Sequence, residues 1–136
     1  VIMSWINKKP TFGDHIRVNR GLYSHHGIYA SDDCIIHFAS NEVGHETDPE
    51  YASICITDLA GFQKEGSIEV REFSQEELLA RRSPQDTINY AFTKLGEKGY
   101  DLINNNCEHF ANLCLFDKKV SSQVDNIKDF FSIFFR

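Results

Sequence analysis

Long apolar runs are missing from this chain: no stretch approaches the roughly 20 residues that cross a bilayer. Positive charge is short as well, with 14 Lys and Arg against 20 Asp and Glu and a formal charge of −6. A nucleic-acid binder needs a basic surface to displace counterions, so no nucleic-acid partner is expected. The four cysteines, Cys34, Cys55, Cys107 and Cys114, contain no C-x-x-C pair, which argues against a zinc ribbon or a thioredoxin-like site. On one helix Cys107 and Cys114 would stand roughly 10 Å apart, too far for a disulfide. A Cys34–Cys55 bridge stays open, but four thiols fit a reducing compartment, and a cytoplasmic location is the expectation. Repeats, low-complexity tracts and Pro/Gly/Ser-rich linkers are also lacking, and Val1 to Lys9 is too short for a secretory leader. Residues 1–136 therefore read as a single domain.

What is present suits a globular core: 41% hydrophobic and 25% charged residues. The first half carries strand patterns. Asp14 to Asn19 alternates around Ile16 and Val18, and Gly27 to Ala30 and Cys34 to Ala39 flank Ser31-Asp32-Asp33 as a hairpin. Asn41 to Tyr51 reads as a loop, Ser53 to Ile56 and Ser67 to Phe73 as strands, and Thr57 to Gln63 as a helical turn. The second half is helical. Ser74-Gln75-Glu76-Glu77 is a capping box before Leu78 and Leu79. Ser83-Pro84 starts a second helix carrying Ile88, Ala91, Phe92 and Leu95. After Asn104-Asn105-Asn106, the residues Cys107, Phe110, Ala111, Cys114 and Leu115 recur at helical spacing, which puts Cys107 in a first turn. The fold class is α+β, an antiparallel sheet followed by packed helices.

Cys107 is the residue with the most chemistry in its position. A helix N-terminus and a neighbouring imidazole would both favour its thiolate, and the orphan N–H groups could hold an oxyanion. On that basis Cys107 is expected to alkylate fastest of the four thiols, even below pH 7. Its base must come from His15, His25, His26, His37, His45 or His109. His37 lies in the apolar run Ile35-Ile36-His37-Phe38-Ala39. A three-residue Ser31–Asp33 loop sets Gly27 opposite His37 and His25 on the same face, whereas a two-residue loop would select His26. The three-residue loop is the expectation. His109, about 200° around the helix from Cys107, has a local structural role, and Glu108 reads as a helix-start residue. His15 and His45 have no pattern around them and are expected at the surface. No ligand spacing for a metal is present.

The string Asn106-Cys107-Glu108-His109-Phe110 resembles the NCEHF signature of the lecithin:retinol acyltransferase family. His25-His26-Gly27-Ile28-Tyr29 and Ile35-Ile36-His37-Phe38 resemble its two histidine strands, and Gly13-Asp14-His15-Ile16 its opening strand. The similarity runs from about Gly13 to Asp117. It implies a permuted papain-like, NlpC-like fold in which Cys107 is the nucleophile, His25 the base and His37 the third polar residue. It also implies acyl transfer through a thioester, of phospholipase A or phospholipid acyltransferase type, on a phospholipid or other acyl ester, with no cofactor and no metal. His26 departs from the tryptophan often found there in vertebrate members. A cysteine peptidase or amidase of the NlpC type, or a non-catalytic interaction domain, are the alternatives. The segment Asp125 to Arg136, with four phenylalanines in six residues, is read either as a last core element or as a peripheral membrane contact, too short to span a bilayer.

Overall fold

Period-two alternation in the first half and capped, apolar-striped segments in the second give the elements of the chain. The computed structural model describes residues 3–40, 42–45, 48–101 and 106–117. Strands β1 (Ser4–Ile6), β2 (Asp14–Asn19), β3 (Ser24–Ser31), β4 (Cys34–Ala39), β5 (Ser53–Thr57) and β6 (Ile68–Glu72) form one sheet in the order β1-β6-β2-β3-β4-β5, with every pair antiparallel. Helix α1 (Leu59–Gln63) lies between β5 and β6, and α2 (Gln75–Ala80), α3 (Pro84–Thr93) and α4 (Cys107–Phe116) follow. Among the described residues no helix is long and apolar enough to cross a membrane. The Asp125–Arg136 segment lies outside the described residues.

Each face of the sheet buries its own apolar cluster. Ile28, Ile36, Phe38 and Ile54 pack against Ile88 and Ala91 of α3 and Phe110, Ala111, Cys114 and Leu115 of α4. Ile16, Val18, Tyr29, Ile35, Ile68 and Val70 pack on the opposite face, around Phe62 of α1. Alternation along β3 therefore sends His26 and Ile28 toward α4 and His25, Gly27 and Tyr29 toward Phe62. Gly27 has no room for a side chain: a Cβ there would stand 2.8 Å from the Phe62 ring and 2.9 Å from Ile35.

The structure corrects the expected hairpin loop and adds detail at β1 and α2. The β3–β4 connection is a two-residue Asp32-Asp33 turn between the paired residues Ser31 and Cys34, fastened by the Tyr29 hydroxyl donating to Asp32. A bulge between Tyr29 and Ser31 adds the residue that a three-residue loop would have supplied, so Gly27 still pairs with His37. Strand β1, which the sequence reading left unassigned, pairs with β6 and sets Trp5 opposite Arg71. Helix α2 has its capping box, but Leu78 and Leu79 face solvent and its buried side chain is Glu77. No disulfide joins Cys34 and Cys55.

Candidate active site

Helix α4 begins at Asn106, whose side chain accepts from His109 N–H at 2.9 Å while its own N–H donates to His109 Nδ1 at 3.1 Å. Both orphan groups are satisfied reciprocally, so His109 is occupied with the cap. At the far end Arg82 donates to the carbonyls of Leu113 and Cys114 at 2.6 and 2.9 Å. The helix is thus held at both ends. Cys107, the first helical residue, points into the protein and is 1% exposed. Its Sγ lies 3.9 Å from the Ser24 carbonyl oxygen, and the backbone N–H groups of His26, Cys107 and Glu108 favour its thiolate. Burial outweighs them and pushes the thiol up to about 11, with the Glu108 carboxylate adding to the rise. In the resting protein burial therefore works against the thiolate that the helix N-terminus favours. Cys34 and Cys55 are partly exposed and more accessible to reagents than Cys107.

His25 and His37 meet on the Phe62 face. His25 Nε2 and His37 Nδ1 are 2.8 Å apart, and Phe62 lies against both rings with centroids at 5.1 and 5.7 Å. Burial, followed by the repulsion that a protonated His37 and Arg20 would exert, holds His25 well below the ordinary histidine value of 6.5. Burial and the nearby Arg20 and Lys64 push His37 down to about 4. Both rings are neutral at pH 7. His37 Nε2 is buried with no hydrogen-bond partner among the described residues. The Cys107 thiol meets β3 at its backbone, at Ser24 and His26, which flank His25 in the chain, while the imidazole pair sits on the other face of the strand.

A second histidine pair, not foreseen from sequence, lies on the α4 face. His15 is fully buried rather than exposed, because Trp5, His26 and Arg71 close around its ring. Its Nε2 is 2.8 Å from His26 Nδ1, and Trp5 stands edge-on to both rings. His26 Nε2 is 4.0 Å from Glu108 Oε2, and Arg71 Nη1 is 3.3 Å from His15 Nδ1. Arg71 also donates to Asn112 Oδ1 at 2.7 Å and pairs with Glu77. Glu108 is consequently more than a helix-start residue: it is 1% exposed and belongs to a buried polar cluster. His45 is exposed as expected, stacked on Tyr51. Among the described residues no three His, Cys, Asp or Glu side chains are grouped to hold a metal ion.

Comparison with known proteins agrees with the residue pattern. The curated rat protein "Phospholipase A and acyltransferase 5" is 25% identical over 146 residues, covering 89% of this chain and 44% of the relative. Rat "Lecithin retinol acyltransferase" is 26% identical over 145 residues, covering 91% of this chain and 62% of the relative. The mouse protein of that name is 24% identical over 152 residues. The chain thus spans between 44% and 62% of the length of these rat relatives. A family model described as Lecithin retinol acyltransferase matches residues 8–120, and with that span of the sheet, the histidine strands and the Cys107 helix accounted for, the chain belongs to the lecithin retinol acyltransferase family.

Proposed function

We propose that the protein is a thiol acyl-transfer enzyme with a permuted papain-like site, acting on phospholipid acyl esters through a thioester on Cys107, with His25 as base and His37 as its orienting partner. The observation that carries this reading is the state of the ring nitrogens. His26 has Nδ1 engaged by His15 and Nε2 directed to Glu108, so neither is available as a lone pair for the thiol. Among the described residues His25 has Nε2 engaged by His37, which leaves Nδ1 outside that bond. For Nδ1 to accept a proton, Nε2–H must donate to His37 Nδ1, and His37 then carries its hydrogen on Nε2.

In the first step the His25 ring turns past the β3 backbone toward Sγ, and its Nδ1 takes the Cys107 proton as Sγ attacks the ester carbonyl carbon. Backbone N–H groups at the start of α4 stabilise the tetrahedral oxyanion. Collapse breaks the acyl C–O bond, the proton on His25 goes to the leaving lysophospholipid oxygen, and the thioester remains. In the second step His25 deprotonates water or an acceptor hydroxyl or amine, which attacks the thioester. The acyl group leaves as a fatty acid or a new ester or amide, and Cys107 regains a proton. Because the resting thiol is high and both imidazoles are neutral, proton transfer accompanies attack rather than preceding it as a stored ion pair. Catalytic hydrogen bonds of this kind tighten in the substrate complex.

Lipid rather than peptide is favoured by the rim. The β2–β3 hairpin and the β4–β5 connection lie at the sheet end where Cys107 meets Ser24, and they leave Leu22 and Val43 almost wholly exposed. Apolar tips beside a thiol suit peripheral contact with a lipid surface. The test is turnover of phosphatidylcholine in vesicles against a peptide amide. Cys107→Ala and His25→Ala should abolish fatty-acid release, and His37→Ala should reduce it less completely. An active His25→Ala with a dead His26→Ala would assign the base to His26, and cleavage of the amide alone would make the protein a peptidase.

A further inference from the structure

The buried cluster beneath α4 has a direction that its donors impose. Arg71 can only donate, so His15 Nδ1, 3.3 Å from Arg71 Nη1, must accept. A neutral His15 then carries its hydrogen on Nε2 and donates to His26 Nδ1 at 2.8 Å. His26 is left with its hydrogen on Nε2, directed at Glu108 Oε2 at 4.0 Å. The two hydrogen bonds fix His15 and His26 each in one tautomer, and the last step, from His26 Nε2 to the Glu108 carboxylate, is an electrostatic approach at 4.0 Å. No proton needs to be added to either imidazole to link the two charges.

We propose that Arg71, His15 and His26 form a relay that compensates the Glu108 carboxylate and thereby tunes the Cys107 thiol, with His15 and His26 as positioning residues. Glu108 follows Cys107 in the chain, and its negative charge opposes formation of the thiolate. His26 reaches the first turn of α4 twice. Its backbone N–H favours the thiolate, and its ring faces the carboxylate beside it. The relay therefore holds strand and helix in register while it screens the adverse charge. Two unit charges several ångströms apart in a buried site interact strongly enough to move a thiol by on the order of one pH unit.

Among the described residues the charged and titratable groups that face His26 are few. They are His15 and Arg17 from β2, Arg71 from β6 with Glu77 behind it, Glu108 from α4, and His25 on the same strand. Burial is the largest influence on both relay imidazoles: His15 is lowered well below 6.5 and His26 falls to about 4, with Glu108 as the opposing pull on His26. Neutral rings in fixed tautomers are what the relay requires.

The relay concerns the proposed nucleophile, but its test uses no acyl substrate, so its failure is distinguishable from failure of the enzymatic reading. Alkylation of the native protein by iodoacetamide at pH 8 is followed by peptide mass spectrometry at Cys107, with Cys114 on the same helix as an internal control for opening of α4. Glu108→Gln should speed Cys107 labelling about tenfold relative to Cys114. His15→Leu, which cuts the relay, should slow Cys107 by a similar factor without changing Cys114, and adding Glu108→Gln should remove that slowing. His15→Gln can still accept from Arg71 and donate to His26, and should recover most of the rate lost in His15→Leu. The proposal is overturned if Glu108→Gln fails to speed Cys107. It is overturned equally if His15→Leu leaves Cys107 unchanged or shifts Cys107 and Cys114 together. Should His15→Leu not fold, His15→Phe, which cuts the same link, takes its place under the same criteria.

Discussion

Acidification should destabilise this protein well before its carboxylates are titrated. His26 and His37 are each lowered from 6.5 to about 4 by burial. An unfolded chain binds a proton at each site once the pH drops below 6.5, whereas the folded chain does so only near 4. The folded state therefore keeps its full stability above pH 6.5 and loses it as the pH falls toward 4. Integrated over that window, each histidine costs about 2 kcal/mol at pH 5 relative to pH 7, and the two together about 4 kcal/mol. His15 and His25 are lowered in the same direction and add to the loss. A small domain has roughly 5–15 kcal/mol in total, so much of its margin disappears by pH 5. Urea unfolding at pH 7, 6 and 5 measures this directly. His37→Gln, which cannot titrate, should lose about 2 kcal/mol less than wild type over the same span. A stability that stays flat from pH 7 to pH 5, or a His37→Gln protein with the wild-type slope, would refute the burial argument.

Two further expectations follow from packing and access. Gly27→Ala should lower stability by about 1–3 kcal/mol in thermal or urea unfolding, because the added methyl meets Phe62 and Ile35 at under 3 Å. It should also disturb the His25–His37 pair that Phe62 supports, seen as changed imidazole resonances in NMR. Iodoacetamide at neutral pH should label the partly exposed Cys34 and Cys55 before Cys107, and Cys107 labelling should rise steeply with pH above 8, since its thiol lies near 11. Rapid labelling of Cys107 at pH 7 would show that its burial has been overstated.

The local placement of the candidate residues was readable because it rests on periodicity. The period of two in β3 and β4 is enough to separate His25 from His26, and 3.6-residue spacing is enough to put Cys107 at the start of α4. The hairpin shows how such reasoning succeeds with a wrong part. A two-residue turn plus a bulge between Tyr29 and Ser31 has the parity of a three-residue loop, so Gly27 faces His37 either way. What stayed illegible depends on distant segments. His15 has no pattern around it, and its burial comes from Trp5 of β1 and the polar residues of β6 and α4. Strand β1 itself is only three residues long and acquires meaning by pairing with β6, more than sixty positions away. The thiol shows the same limit. Sequence reveals the helix N-terminus that favours a thiolate, and conceals the burial that outweighs it.

The central claim is a covalent acyl intermediate on Cys107. Intact-protein mass spectrometry after brief incubation with phosphatidylcholine vesicles, quenched in acid and followed by peptide mapping, tests it most directly. The account predicts a mass increase of one fatty-acyl group, located on Cys107, sensitive to hydroxylamine as a thioester is, and missing from Cys107→Ala and His25→Ala. Lipid turnover by the wild-type protein with no adduct under any quench, or an adduct that persists in Cys107→Ala, would contradict it.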